Sequence, residues 1–346
     1  MKIAYLYSSL SSHSSRFDVL FSSFASEYFS FLVSFSPSRC PSILVDQKCY
    51  SSWETIIHYL ETNNFYVISG PMDDISIHLA HGNFKHIAIS FATDIMVSAA
   101  KSDRVLYKFI SASRSFDGVI IDNLACENAL ISLGFPSNSL LRIPWGPTSL
   151  ISPQCSRSDF GIDLNCTLLL YPRALDPHYD PLTFIHVLER LVPLFPSLVV
   201  VFIANGSCLD ECKSLVQNYN LNRYVRWFDP MPYHDFCGLT SISDLVVVSP
   251  ITDGTSVTVM DAMKLNVPVV SSLTAGSAEW IIDGITGWTF PVGNSEAMLN
   301  AISTCLNSSS QRRASICSNA RQLVNTRAGW SQSSKLILSF LTSIFS

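Results

Sequence analysis

The chain has 346 residues, long enough for two domains with sizeable cores, and 48% of them are apolar. Only 14% are charged, against about 25% in an average soluble domain, which points to large buried sheets or to work beside a membrane. A formal net charge of −5 gives no basic footprint for nucleic acid, and no run of about 18 apolar residues marks a membrane-spanning helix.

Residues 3–7 are apolar, too short a run for a secretory signal, and predict a first strand. The serine-rich loop at residues 8–15 has no glycine, so the fingerprint that lets a backbone approach a dinucleotide phosphate is absent. Phe17, Leu20, Phe21, Phe24 and Tyr28 recur at helical spacing and are assigned to the core. The alternation continues with strands predicted at 31–33, 65–68, 87–91, 118–121 and 140–143. Helices are predicted between them at 53–60, 75–79, 95–110 and 124–133. Such alternation predicts a parallel sheet covered on both faces, with ligands at the carboxyl ends of its strands. Phe91-Ala92-Thr93-Asp94 lies at such an end, where Asp94 could orient an acceptor hydroxyl or cap the following helix.

Periodicity stops at Pro144-Trp145-Gly146-Pro147, Pro153 and the polar run 156–159, which predicts a boundary near residue 150 between domains 1–150 and 151–346. A second alternating series follows. Strands are predicted at 168–170, 198–203, 225–228, 245–248 and 267–270. Helices are predicted at 182–195, 208–219, 233–239 and 278–282, then near 295–305, 311–325 and 331–345. The last helix is strongly apolar and is expected to pack back on the first domain, with a membrane surface as the alternative.

One stretch carries most of the chemistry: Pro250-Ile251-Thr252-Asp253-Gly254-Thr255-Ser256-Val257, continuing to Asp261-Ala262-Met263. It runs from a buried apolar strand through a turn into a helix start, where free backbone N–H groups and the helix dipole favour an anion. Asp253 and Asp261 bracket that start. Carboxylates beside an anion site suit neutral hydroxyls on the same ligand, as in a nucleotide sugar; alone, they also fit a helix cap and a solvated helical acid. Arg173, at the end of the 168–170 strand, faces the same edge if the sheet is parallel. Its planar fork suits a diphosphate, and equally a surface ion pair. No metal site is expected. None of the ten cysteines forms a Cys-x-x-Cys pair, Cys208 and Cys212 lack histidine partners, and His78, His81 and His86 fall on different predicted elements. The thiols are expected to be reduced.

The second half resembles the retaining glycosyltransferases of family 4, whose GT-B fold has two Rossmann-like domains with parallel sheets facing a central cleft. The resemblance is carried by Ile143-Pro144-Trp145-Gly146, by Tyr171-Pro172-Arg173-Ala174-Leu175-Asp176-Pro177-His178-Tyr179, by the Asp253-to-Asp261 stretch in the place of the family's E-x7-E motif, and by Ala275-Gly276-Ser277-Ala278-Glu279-Trp280-Ile281 with Asp283-Gly284 and Thr286-Gly287-Trp288. It implies an N-terminal acceptor domain and a C-terminal nucleotide-sugar domain. It implies that Arg173 binds the donor diphosphate and that Asp253 meets donor-sugar hydroxyls, these two carrying the chemistry. Gly254, Thr255 and Ser256 would offer N–H groups, with Val257 beside them, and Asp261 would hold the ribose hydroxyls. Met231 would lie by the nucleobase, and Thr93 and Asp94 on the acceptor side.

Three departures from the family pattern stand out. Both motif glutamates are aspartates, each roughly 1.5 Å shorter. The phosphate-binding lysine expected five residues after the arginine is His178; a neutral imidazole brings no charge, but by the resemblance His178 belongs to the donor-binding set and would help hold the diphosphate when protonated. The glycine expected after the motif helix is Asn266, which tolerates the left-handed conformation a helix C′ position needs. The resemblance implies a cytoplasmic transferase, at or near the inner face of the membrane. It would move a sugar from a nucleoside diphosphate sugar to a glycan or glycolipid acceptor, with retention of configuration, in polysaccharide synthesis. It implies no metal and no cofactor beyond the donor substrate. The shortened carboxylates and the missing lysine leave a second function class, a non-catalytic nucleotide-sugar binding or scaffold protein of the same fold.

Overall fold

The structure, a computed structural model, describes residues 2–7, 35–36, 42–43, 52–99, 102–112, 114–144, 146 and 155–345. The glycine-free loop at 8–15, the aromatic stripe from Phe17 to Tyr28, the strand at 31–33, Trp145, Pro147 and Pro153 lie outside the described residues. The chain divides into two compact units, Met1–Pro144 with Ser331–Ser346, and Trp145–Trp330.

The first unit carries β1 (Ile3–Tyr7), α1 (Trp53–Thr62), β2 (Tyr66–Gly70), β3 (His86–Ile89), α2 (Asp103–Ala112), β4 (Gly118–Ile121), α3 (Leu124–Ser132) and β5 (Leu140–Arg142). The five strands form one parallel sheet in the order β1-β2-β3-β4-β5. Every residue of β3 and β4 is buried, which is why, His86 apart, these strands read as apolar runs. Helix starts are set by local caps: Ser52 accepts from the Thr55 amide at 3.3 Å, and Asn123 from the Cys126 amide at 2.8 Å. The helix expected over 95–110 is two segments, a wide-turn stretch Asp94–Ala99 and α2. Ser102 caps the second afresh, its hydroxyl accepting from the Val105 amide at 3.4 Å. The terminal helix, Trp330–Phe345, packs on this unit from Ser331 onward. Phe345 lies 4.8 Å from the Tyr66 ring, and a Cβ at Gly118 would come within 2.5 Å of Ile344.

The second unit carries β6 (Thr167–Tyr171), α4 (Pro181–Leu191), β7 (Leu198–Ile203), α5 (Leu209–Asn218), β8 (Val225–Phe228), α6 (Tyr233–Ser241), β9 (Leu245–Val248), α7 (Val257–Lys264), β10 (Val269–Ser272), β11 (Trp288–Phe290), α8 (Ser295–Asn307) and α9 (Ser310–Arg327). Its sheet is parallel throughout, in the order β8-β7-β6-β9-β10-β11. Along β6 the side chains alternate between two cores. Leu169 and Tyr171 join Phe184, Phe202 and Ile302 on one face; Leu168 and Leu170 join Met260, Met263 and Trp280 on the other. Counted within the unit, the strand order is 3-2-1-4-5-6, and it reverses between β6 and β9. A doubly wound sheet opens its ligand crevice at that switch point, beyond the carboxyl ends of those two strands. The stretch after β10, expected as a helix over 278–282, is a single tight turn, Ser277–Glu279.

Candidate functional site

Arg173 follows β6 and Asp253 follows β9, so the two residues flank the switch point. The loop after β6 is held from below. The Leu175 amide donates to the Asn205 carbonyl at 2.6 Å, and the Leu175 carbonyl accepts from the Cys208 amide at 2.7 Å. This contact needs Gly206, whose φ is +122° and whose absent Cβ would meet the Leu175 backbone at 2.5 Å. The same loop is stitched to the one after β9. The Tyr171 hydroxyl donates to the Tyr179 carbonyl at 2.5 Å, the Ser249 hydroxyl to the same carbonyl at 2.9 Å, and the Ile251 amide to the His178 carbonyl at 2.8 Å. Burial pushes the Tyr171 phenol's pKa up, so it stays a neutral donor.

The Asp253 loop rests on the turn after β10. Ser272 donates to the Pro250 carbonyl at 2.6 Å. Gly276 presses so closely that a Cβ there would sit 2.0 Å from the Gly254 carbonyl oxygen and 2.5 Å from that of Asp253. Gly254, Thr255 and Ser256 are thereby buried at the start of α7, whose first-turn amides have no acceptor within the helix.

Arg173 reaches across this cradle. Its Nη2 donates to Asp253 Oδ1 at 3.1 Å and lies equally far from Oδ2, and its Nη1 donates to Ser256 Oγ at 3.3 Å. The Tyr179 ring covers the guanidinium face at 3.9 Å. Burial is the largest influence and works against the Arg173 charge, but the Asp253 carboxylate together with Tyr179 and Tyr171 outweighs it and raises the pKa, so the cation persists. Two buried polar atoms of this pair, Arg173 Nε and Asp253 Oδ2, find no hydrogen-bond partner. One is a donor suited to a phosphate oxygen and the other an acceptor suited to a hydroxyl.

The structure therefore brings Arg173, Asp253 and Ser256 into direct contact, with Gly254, Thr255 and Val257 on the same loop and helix start. His178 joins them at second hand: its ring lies 3.8 Å from that of Tyr179, which stacks on Arg173. Met231 is half-buried against the core beneath α7. Asp261, on the second turn of α7, is buried and accepts from the Tyr233 hydroxyl at 2.9 Å. Sequence reasoning missed both Tyr179 and Tyr233. Tyr179 is adjacent to a singled-out residue, and a positive charge with an aromatic six residues on was the available signal.

In the first unit, Asp94 is fully engaged. Its carboxylate accepts from the Met72 amide at 2.9 Å, the Ser90 hydroxyl at 2.7 Å, the Phe91 amide at 3.3 Å and the Ile95 amide at 3.0 Å. Four donors fill the acceptor sites of one carboxylate, so in this structure Asp94 knots the loop after β2 to the loop after β3. Burial, with Asp73 nearby, pushes its pKa up to about 6 despite those donors. Thr93 is half-buried beside it, its amide turned to the Phe91 carbonyl. Among the described residues, no group of three or more His, Cys, Asp or Glu side chains could hold a metal ion. Nor is any described helix long and apolar enough to cross a membrane.

Residues 155–323 match the family described as Glycosyl transferases group 1. That segment contains β6 through most of α9, with Arg173, Asp253, Gly276 and Asp261. EpsD of Bacillus subtilis (strain 168) is 26% identical over 160 residues, 45% of this chain and 40% of that protein. The D-inositol 3-phosphate glycosyltransferase of Frankia alni is 25% identical over 144 residues, 39% of this chain and 35% of that protein. The chain thus matches well under half the length of these curated relatives. Among solved structures, Anabaena HepE in complex with UDP-glucose superposes with a TM-score of 0.81 at 17% identity, over 99% of this chain and 100% of that one. The sucrose-phosphate synthase of Thermosynechococcus elongatus gives 0.79 at 16%, over 100% and 99%. The fold is that of GT-B glycosyltransferases, with the two parallel-sheet units expected from the sequence.

Proposed function

We propose that the chain is a glycosyltransferase that moves a sugar from a nucleoside diphosphate sugar to a glycan or glycolipid acceptor, with retention of configuration. The observation that carries this reading is the Arg173–Asp253–Ser256 contact at the switch point of the second sheet. There a buried cation, a helix N-terminus and a carboxylate with one oxygen that accepts no hydrogen bond converge on one spot. A diphosphate would take the Arg173 fork and the amides at the start of α7, while sugar hydroxyls would take Asp253. The leaving group of such a transfer is the nucleoside diphosphate, and its negative charge grows as the glycosidic bond breaks. A cation and a dipole already fixed in a dry site stabilise that charge without reorganising. The protein's remaining task is to position the acceptor on the same face as the departing diphosphate. HepE was solved with UDP-glucose, which supports a nucleotide sugar as the ligand class.

No metal or added cofactor is assigned to this chemistry. The acceptor residues and a station at the inner face of the membrane belong to the same proposal. Isothermal titration of the full chain with UDP, ADP and GDP, followed by transfer and hydrolysis assays on the matching sugar nucleotides, tests it. Binding of one diphosphate and turnover of its sugar are expected. Binding with neither hydrolysis nor transfer would favour a nucleotide-sugar binding protein, and no binding at all would remove the donor site.

A further inference from the structure

Nε and Nη2 form one edge of a guanidinium, and in Arg173 that edge is half taken. Asp253 stands against Nη2, both its oxygens at 3.1 Å, while Nε on the same edge has no hydrogen-bond partner. Arg173 is held in place: the Tyr179 ring covers its face at 3.9 Å, and Nη1 donates to Ser256 Oγ at 3.3 Å. A phosphate oxygen that takes Nε therefore arrives beside a carboxylate of its own sign. Only 11% of the Arg173 side chain and 10% of the Asp253 side chain are exposed, so water and salt do little to screen the two anions.

We propose that Asp253 sorts donor from product by charge, holding the nucleotide sugar and expelling the bare nucleoside diphosphate; this rests on the donor-site reading above. The two ligands differ at the outer phosphate. Esterified to a sugar, that phosphate carries a single negative charge and brings hydroxyls, which donate to the carboxylate. As a free monoester, with a second pKa of about 6, it carries nearly a full charge more at pH 7 and brings no donor. The bare diphosphate thus competes with Asp253 for Arg173 and leaves a buried carboxylate without a counter-charge. The nucleotide sugar competes for the same cation but supplies hydroxyl donors in its place. The one aspartate attracts substrate and repels product, and its ion pair with Arg173 closes again as the product leaves.

The test is titration of the full chain with UDP and UDP-glucose, with the ADP and GDP pairs as alternative bases, repeated for Asp253→Asn and Asp253→Ala. Asp253→Asn keeps the shape and an acceptor for Arg173; Asp253→Ala removes the charge without adding an amide that a phosphate could take. Both variants are expected to bind the bare diphosphate about tenfold more tightly than the wild type. The sugar ester loses its hydroxyl contacts as the repulsion goes, so it gains little or weakens. A readout in the wild type alone does not depend on how the variants fold. Lowering the pH from about 7.5 to 5.5 protonates the free outer phosphate and gives it a donor for Asp253, so UDP gains affinity relative to UDP-glucose, whose charge is constant there. Bare-diphosphate affinity that is unchanged or weaker in the variants overturns the inference, as does a wild-type ratio that does not move with pH. An equal gain for both ligands also overturns it, because Asp253 would then be only a counter-charge for Arg173. So does a gain in Asp253→Asn alone, which the new amide would explain. If the wild type binds none of the three diphosphates or their sugar esters, the donor-site reading falls and this inference falls with it.

Discussion

Arg173 and Asp253 face each other at 3.1 Å with about a tenth of each side chain exposed, and each keeps one buried polar atom without a hydrogen bond. The pair is a structural element as well as a candidate binding element. A buried ion pair costs desolvation that its attraction only repays in good geometry, and deleting one partner strands the other charge.

Arg173→Ala is therefore expected to lower the stability of the second unit by about 3–5 kcal/mol as well as to remove diphosphate binding. Arg173→Ala with Asp253→Asn removes both charges, and urea unfolding should show much of the stability restored. Turnover should stay lost in the double variant. Arg173→Lys keeps the charge without the fork and should reduce transfer by about a hundredfold. Near-normal transfer by Arg173→Ala would count against the phosphate role.

Gly276 is placed by close approach, its φ being an ordinary −73°. A methyl there would overlap two carbonyl oxygens of the Asp253 loop. Backbone cannot swing aside as a long side chain can, so Gly276→Ala should shift that loop and cost about 1–3 kcal/mol. The same shift should pull Asp253 from Arg173. Nucleotide-diphosphate affinity measured by titration should fall with it; an unchanged affinity would mean the loop tolerates displacement.

What the sequence disclosed follows the range of each interaction. β6, β7 and β9 are buried on both faces, so Leu168–Leu170, the 198–203 run and Leu245–Val248 stand out as apolar blocks. Arg173 and Asp253 lie two and five residues past strand ends and Ser256 at the helix start that follows, where a doubly wound sheet puts its ligands, so their elements predict their meeting. Tyr233 and Asp261 are 28 positions apart, and neither periodicity nor local turn chemistry links them. The helix expected over 95–110 overran Ser102 because apolar spacing continues through it, while the cap is a geometric event. The role of Asp94 was open between cap and ligand because its Met72 and Ser90 partners belong to two different strand ends.

Asn266 sits at φ +59° just after α7. Its amide donates to the Met263 carbonyl at 3.2 Å, and the Val267 amide donates to that of Ala262 at 2.9 Å, the paired bonds of a Schellman cap. A residue with a Cβ and no local hydrogen-bonding side chain pays for the left-handed conformation. Asn266→Ala should lower stability by about 1 kcal/mol, while Asn266→Gly should be neutral or slightly stabilising. Urea midpoints for the three proteins check this, and equal midpoints for Asn266→Ala and the wild type would contradict it.

His86 and Asp94 in the first unit push stability in opposite directions as pH changes. The His86 Nε2 lies 2.6 Å from Ser69 Oγ, whose proton goes to Ser76, so Nε2 carries the hydrogen. Nδ1 is buried without a partner, and burial holds the imidazole pKa down to about 3, against 6.5 when free. Below pH 6.5 the unfolded chain takes up a proton that the folded chain refuses. This contribution is present above 6.5 and is lost as pH falls toward 3, on the order of 5 kcal/mol over the whole window. Asp94 is raised from 3.8 to about 6, chiefly by burial, so its contribution is present below 3.8 and lost as pH rises to 6, on the order of 3 kcal/mol. Between about pH 4 and 6 the two nearly cancel. His86→Gln, which keeps a donor for Ser69, should gain stability relative to wild type as pH falls from 6 to 4. Asp94→Asn, whatever its cost in lost acceptors, should lose stability relative to wild type over the same window. Urea midpoints at pH 4, 5, 6 and 7 measure both slopes, and curves parallel to the wild type for both variants would show that neither group titrates differently on folding.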